Sequence, residues 1–497
     1  MKISLINSYI DVYRSEPHGI LMIAAVLERE GHIIQLMDGL FEEIDYKKIE
    51  SFRPDLIGIS VMTLTYHKVK EIINHIKKIL PQTKIVLGGV HPSSCPEESL
   101  VDLKVDFVVI GEGEETIVEL CNTLEKKGEC DFNIIRGLAF LQEGRFIKNS
   151  PRKLISDLNS LPYPARHLLN MEKYFVPPGF IRGLFFDRIA TIMTSRGCPF
   201  ECIFCSQKYI FGRTYRRRSV PNVIEEIIVL KSSYGIEGIH FMDENFIVNK
   251  QWIKEFCAEV GKLNICWSCE ARANSVDPGI LKLMEDSGCL QVDLGIESGS
   301  NRVLKSLKKR LTIEEIQEGC QLIKNAGIRI FVNVLIGSPQ ETKKELYATY
   351  DLLRKIKPDF GVANFLTAIP GTELYSKYIK EGGVSYYKRE GKDLSYNYYP
   401  ITNLSSESDD TLVSYHKKFR NYFILKNCLS LMRFNRLNIL IKIILYFCSN
   451  IIFLYKTLYK VIFKGGERKI YKIIFDTIYI MQKHCYEKKI HINTRSI

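Results

Sequence analysis

Apolar positions along the first 145 residues fall into short unbroken runs, at 2–7, 33–37, 56–60, 84–87 and 107–110. Between them lie stretches with helical spacing, at 20–30, 68–80 and 115–126. Gly31 closes the first of these, Pro81 the second, and Gly111-Glu112-Gly113-Glu114 opens into the third. Apolar strands alternating with helices through short Gly-rich turns predict a doubly wound α/β domain, its parallel sheet covered on both faces. Such a sheet takes its ligand at the carboxyl ends of the strands, near the topological switch.

From 146 to 187 the pattern breaks. Pro151, Pro162, Pro164, Pro177 and Pro178 mark a linker laid across a domain surface. A second alternating block, 188–382, has strands at 189–194, 238–242, 265–271, 291–296, 329–336 and 361–368, with Gly235, Gly288 and Gly327 as helix stops. Six strands predict an open or partial barrel, since a full eight-unit barrel needs ~250 residues. The remaining 383–497 reads as mainly helical, apolar and basic. Within 437–463 the longest uncharged run, 443–455, has 13 residues, short of the ~20 of a membrane span. A packed helical appendage is the first reading of 437–463, and a helix lying on a membrane surface, lysines toward anionic headgroups, is the second.

Charge sharpens that division. The 497 residues carry 69 Lys+Arg against 57 Asp+Glu, a formal net charge of +12. Residues 411–497 hold 17 of the bases and 3 of the acids, so the preceding 410 are close to neutral at 52 against 54. With 46% hydrophobic and 25% charged residues, the composition excludes a disordered, collagen-like or disulfide-scaffold chain. The opening MKISLINSYI reads as a strand rather than an export signal. The expected compartment is therefore cytoplasmic and reducing, with a membrane-peripheral position if the tail touches lipid. There, clustered cysteines among the 14 point to metal or catalysis.

The densest chemistry is Ser195-Arg196-Gly197-Cys198-Pro199-Phe200-Glu201-Cys202-Ile203-Phe204-Cys205, directly after the first strand of the second block. Three thiolates spaced C-x3-C-x2-C on one loop converge on a soft metal centre. Structural zinc takes four ligands and no fourth stands in register nearby. An iron–sulfur cube held by three cysteines leaves one iron open to an external ligand. By contrast Cys266 and Cys269 lie inside a strand and point to opposite faces, as ordinary strand cysteines do.

This loop resembles that of the radical S-adenosylmethionine superfamily. The resemblance implies that Cys198, Cys202 and Cys205 hold a [4Fe–4S] cluster whose open iron binds S-adenosylmethionine, with Phe204 close to the adenine. It implies reductive cleavage of that cofactor to methionine and a 5′-deoxyadenosyl radical, with electrons from a flavodoxin or ferredoxin. Later strand ends are similar to the family's cofactor segments: Asp243 and Glu244 toward the methionine ammonium, Glu297 and Ser298 toward ribose or methionine, and Gly337 near the adenosine. Each carboxylate alone also suits a helix N-terminus. Arg272, just beyond Cys266 and Cys269, faces either the barrel mouth, pairing a substrate or cofactor carboxylate, or a surface salt bridge.

The front block resembles the cobalamin-binding domain fused ahead of such barrels, in PDLIGISVM (54–62), IVLGGVHP (85–92) and FVVIGEGEE (107–115). Gly88 and Gly89 let backbone approach a bulky planar ligand, and Ser60 offers a hydroxyl. Gly111 and Gly113 precede a helix N-terminus suited to a phosphate. The D-x-H-x-x-G motif that supplies a histidine to cobalt is absent, and neither His18 nor His91 has that setting. The two resemblances together imply methylation of an unactivated carbon of a small or lipophilic substrate. Oxidative cyclisation or rearrangement, as in the anaerobic magnesium-protoporphyrin ester cyclases, and a non-catalytic membrane-peripheral iron–sulfur protein are the alternatives. A nucleic-acid partner ranks lower, because the tail is dominated by apolar residues and carries no RNA-binding signature.

Overall fold

The computed structural model describes residues 1–8, 15–126, 130–175, 180–181, 184–185, 188–380 and 402–433. The front sheet is built from Lys2–Asn7 (β1), Ile33–Asp38 (β2), Leu56–Ser60 (β3), Lys84–Gly88 (β4), Phe107–Val109 (β5), Leu138–Gln142 (β6) and Arg145–Lys148 (β7). Its order is β2-β1-β3-β4-β5-β6-β7. The first five strands are parallel, and β6 and β7 close the edge as an antiparallel hairpin. The chain order reverses at β1 and β3, the switch point such sheets use for ligands. One face packs Ile3, Leu5, Val86 and Phe107 under the helices His18–Arg29 and Glu114–Leu124; the other packs Ile57, Ile59 and Leu87 under Tyr66–Ile79.

Two features differ from the sequence expectation. The sheet runs on to Lys148, because Glu143 and Gly144 both adopt positive φ and make a tight hairpin turn. The proline-rich segment is also no surface linker throughout. Ile155, Leu158, Ala165 and Arg166 are buried, and the Arg166 guanidinium donates to Glu226 (2.8 Å) and to the Thr191 carbonyl (2.7 Å) of the second domain.

A two-residue hairpin, Phe180–Ile181 (β8) and Leu184–Phe185 (β9), precedes the second domain. There Ile189–Ile192 (β10) is followed by a short pair, Ser195–Arg196 (β11) and Arg216–Arg217 (β12). The main sheet continues with Gly238–Phe241 (β13), Cys266–Ala271 (β14), Cys289–Glu297 (β15), Arg329–Ile336 (β16) and Phe360–Phe365 (β17). All six strands, β10-β13-β14-β15-β16-β17, run parallel in sequential order, an open half-barrel. Phe241, Phe246, Phe256 and Trp267 pack as one aromatic group, centroids 4.7–5.8 Å apart, on the helix side of the sheet. The opposite, inner side carries polar residues such as His240, Ser268, Asp293 and Asn333 at alternating positions.

The helix Asp409–Arg433 belongs to this domain. Leu412, Phe419 and Phe423 are buried in the barrel core, and His416 Nε2 donates to the Ala363 carbonyl (2.9 Å). Helix and strand approach so closely that a Cβ at Gly361 would stand 2.6 Å from both the Phe423 ring and the Val332 carbonyl. The neutral–basic division read at Thr411 therefore cuts into the folded body. The basic segment that follows, 434–497, and the 437–463 run within it lie outside the described residues. Among the described residues no helix is long and apolar enough to cross a membrane.

Candidate active site

The cysteine loop springs from the carboxyl end of β10 and is fixed at its base. Gly197 has φ +87°, and a Cβ there would lie 2.2 Å from the Thr214 carbonyl, so only glycine lets the chain turn into Cys198. Asp243, just past β13, accepts from the Thr194 amide (3.0 Å), the Thr194 hydroxyl (3.0 Å) and the Ser195 hydroxyl. Further along, Ile203 donates to the Leu307 carbonyl, and Leu374 donates to that of Ile203.

Cys198, Cys202 and Cys205 are free and partly exposed. Burial raises the Cys198 thiol and pushes Cys205 up to about 11, with the neighbouring sulfurs adding to the shift of both. The Phe200 backbone beside Cys198 and the Gln207 backbone beside Cys205 offset part of that rise. Three thiols on one loop are soft donors of the kind a polynuclear cluster requires.

The structure separates the two adjacent carboxylates. Asp243 has no solvent exposure and accepts from Thr194 and Ser195, which anchors the base of the cysteine loop. Glu244 is partly exposed, feels the Cys198 and Cys205 charges, and leaves the buried Oε1 without a partner. Burial, and less strongly Asp243, push its carboxyl up to about 7. An orphaned carboxylate oxygen beside a thiol loop fits the ammonium of a cofactor bound to the cluster.

Arg272 is buried rather than held in a surface salt bridge. Its guanidinium lies 3.7 Å from the Phe200 ring centroid and donates to the carbonyls of Lys309 and Arg310 (3.0 Å for the latter), tying the cysteine loop to the 309–310 segment. Glu297 pairs with Lys309 Nζ (2.7 Å), both side chains nearly buried. Ser298 is fully buried and receives the Ser300 amide (3.2 Å). Phe204 packs beside Ile203, Leu307 and Leu374. Gly337 and Ser338 direct their amides onto Glu341 Oε2 (2.8 and 3.1 Å), a residue the sequence reading passed over.

Glu341 is completely buried, its Oε1 has no partner, and burial pushes its carboxyl up to about 7 from 4.5. The unfolded chain ionises the group near the lower value, so the native state holds an extra proton in between. Stability should therefore fall as pH rises from about 4.5 to 7. Glu341→Gln keeps the acceptor and removes the titration. It is expected to melt above the parent at about pH 8 and level with it at about pH 5. Thermal melts with the same difference at both pH values would contradict this.

Between the two domains lies a cleft of ≈ 1540 Å³, open mouth included. Ser60, Gly88, Gly89, Gly111 and Gly113 all line it, so the residues picked from three separate strand ends meet on one wall. Leu5, Ile23, Gly58, Val86 and Ile117 extend it as an apolar slot into the front sheet, and Gly58 was not legible beforehand. The opposite wall is Met193, Arg196, Gln207, Ile210 and Phe211, the flanks of the cysteine loop. His18 also lines the cleft but is tied to Thr191 Oγ1 (2.8 Å), and burial, then the Arg166 charge, lowers its pKa to about 4. His91 is fully buried, outside the cleft lining, with its ring 4.6 Å from that of Tyr66.

A doubly wound sheet facing a half-barrel with a three-cysteine loop at its mouth defines a two-cofactor enzyme class. Residues 12–121 match the B12 binding domain family and residues 192–353 the radical SAM superfamily. The chain is 34% identical over 369 residues to an uncharacterized methyltransferase of Pyrococcus horikoshii, covering 72% of this chain and 77% of that one. It is 28% identical to an anaerobic magnesium-protoporphyrin IX monomethyl ester cyclase of Rubrivivax gelatinosus, over 73% and 66% of the two chains. In fold it is similar to the radical S-adenosylmethionine methyltransferase TsrM from Kitasatospora setae, with TM-score 0.64, 20% identity and coverage of 76% and 75%. The chain belongs to the family of B12-binding radical S-adenosylmethionine enzymes.

Proposed function

We propose that the protein methylates an unactivated carbon of a small-molecule substrate. The observation that carries this reading is the shared chamber: the flanks of the cysteine loop form one wall of the cleft whose other wall is Ser60, Gly88, Gly89, Gly111 and Gly113. Radical generation and methyl donation have to reach the same substrate carbon, which requires their cofactors to face each other. When bound, the [4Fe–4S] cluster and S-adenosylmethionine supply a hydrogen-abstracting radical, and cobalamin supplies the methyl group.

The chain's own residues orient and shield these groups. Cys198, Cys202 and Cys205 ligate the cluster, Glu244 accepts from the methionine ammonium, and Phe204 borders the adenine. Glu297, Ser298, Gly337 and Asp243 shape that pocket from behind. The glycines at 88, 89, 111 and 113, with Ser60, seat the corrin, and the apolar slot past Gly58 takes part of its tail. The units that go with this reading are 1–148 and 188–433, with Ile155, Leu158, Ala165 and Arg166 of the intervening segment buried. The proposal includes one-electron supply by a flavodoxin or ferredoxin. A peripheral membrane contact through 434–497 rests on its 12 basic against 3 acidic residues, and its apolar character suits a lipophilic substrate.

The test needs no substrate. Reconstituted protein, given S-adenosylmethionine and a chemical reductant, is expected to release both 5′-deoxyadenosine and S-adenosylhomocysteine. Release of 5′-deoxyadenosine alone, with cobalamin loaded, would overturn methyl transfer in favour of cyclisation or rearrangement.

A further inference from the structure

The two cofactor-binding loops are joined by a buried carboxylate–guanidinium cluster. Glu112 sits between Gly111 and Gly113 on the front-domain wall of the cleft, and Arg196 stands two residues before Cys198. Arg196 Nη1 donates to Glu112 Oε1 (2.9 Å) and Nη2 to Glu114 Oε1 (2.5 Å). Arg216, paired with Arg196 across β11 and β12, donates to Glu112 Oε2 (2.8 Å), to the Ile155 carbonyl (2.7 Å) and to the Phe211 carbonyl (2.9 Å). Glu112 Oε2 also accepts the Ile155 amide at 2.9 Å. All four charged side chains are at least nine-tenths buried, and two carboxylates balance two guanidiniums.

We infer that Glu112 is a positioning residue that couples the two cofactor sites, so that filling one pre-orders the loop of the other. This rests on the functional reading above. The physical reason is the cost of stranding charge. If either loop shifts alone, a buried carboxylate or guanidinium loses its partner, and an uncompensated buried charge is strongly destabilising. The loops therefore order together. A ligand that fixes one of them lowers the ordering cost of binding at the other, with reciprocal effect. The Arg196 guanidinium, 5.2 Å from the Phe211 ring, carries the constraint onto the cleft wall as well.

Hydroxocobalamin titration of the full chain, followed by absorbance, tests this in protein with its cluster reconstituted and in the same protein stripped of iron by a chelator. The parent is expected to bind about fivefold or more tightly with the cluster present. Glu112→Gln should bind equally in both states. Glu115→Gln, whose partner Arg152 does not reach the cysteine loop, should keep the parent's difference. If Glu112→Gln does not fold, Arg196→Lys reads the same coupling, because an ammonium cannot bridge both carboxylates in the guanidinium's geometry. A parent without any difference, or either of these two variants retaining it, overturns the inference. Protein that takes up neither iron nor hydroxocobalamin counts against the functional reading instead.

Discussion

Protein in which Cys198, Cys202 and Cys205 are all replaced by alanine is expected to assemble no iron–sulfur cluster and to cleave no S-adenosylmethionine above the buffer background. The effect is total because no other donor set among the described residues can substitute. Cys266 and Cys269 are buried on a strand, and another group, His240, Glu270 and Asp293, brings its ligand atoms within 4.8 Å of one another, a spread for a single ion rather than a cluster. The variant should still fold. Asp243, Gly197 and the Ile203–Leu307 and Leu374–Ile203 amide bonds hold the loop without help from sulfur. Far-ultraviolet circular dichroism with iron analysis separates the two effects. Full iron uptake by the folded variant would move the cluster elsewhere.

The second large effect is expected from Gly88→Phe. Gly88 ends β4 on the cleft wall, has an ordinary negative-φ backbone, and presents open space where a Cβ would stand. Its neighbour Gly89 is different: φ is +105°, and a Cβ would meet the Val61 carbonyl at 2.8 Å. A phenyl ring at 88 therefore fills the cleft without straining the sheet. Hydroxocobalamin affinity should drop by at least about 100-fold, ~2.7 kcal/mol, with the melting temperature unchanged. Iron content and 5′-deoxyadenosine formation should persist while S-adenosylhomocysteine formation stops. Undiminished cobalamin binding would show that the corrin does not lie against β4.

Both variants were legible in the sequence because they rest on local signals. A three-cysteine spacing is carried by one loop, and a glycine pair after an apolar run marks a strand end in a parallel sheet. The different surroundings of Asp243 and Glu244 were not legible. Adjacent residues at a strand end point apart, and Thr194 and Ser195 hold Asp243 inward. Arg272 was placed on the correct strand end, but its stacking on Phe200 depends on a loop more than seventy positions earlier. The helix 409–433 carries its buried contacts at 412, 416, 419 and 423, a helical repeat that was hidden beneath the charge count of the tail. The Glu112–Arg196–Arg216 cluster joins residues about a hundred positions apart. Only opposite charges flanking two ligand loops hinted at it.

The central claim is that one chain holds an iron–sulfur cluster and a corrinoid in a single chamber. Metal analysis and the absorption spectrum of the anaerobically reconstituted full chain test it most directly. The expected result is four irons and one cobalt per chain, with iron–sulfur and corrinoid bands superimposed and both retained through gel filtration. A chain that keeps its iron but releases all cobalt on the column would contradict it.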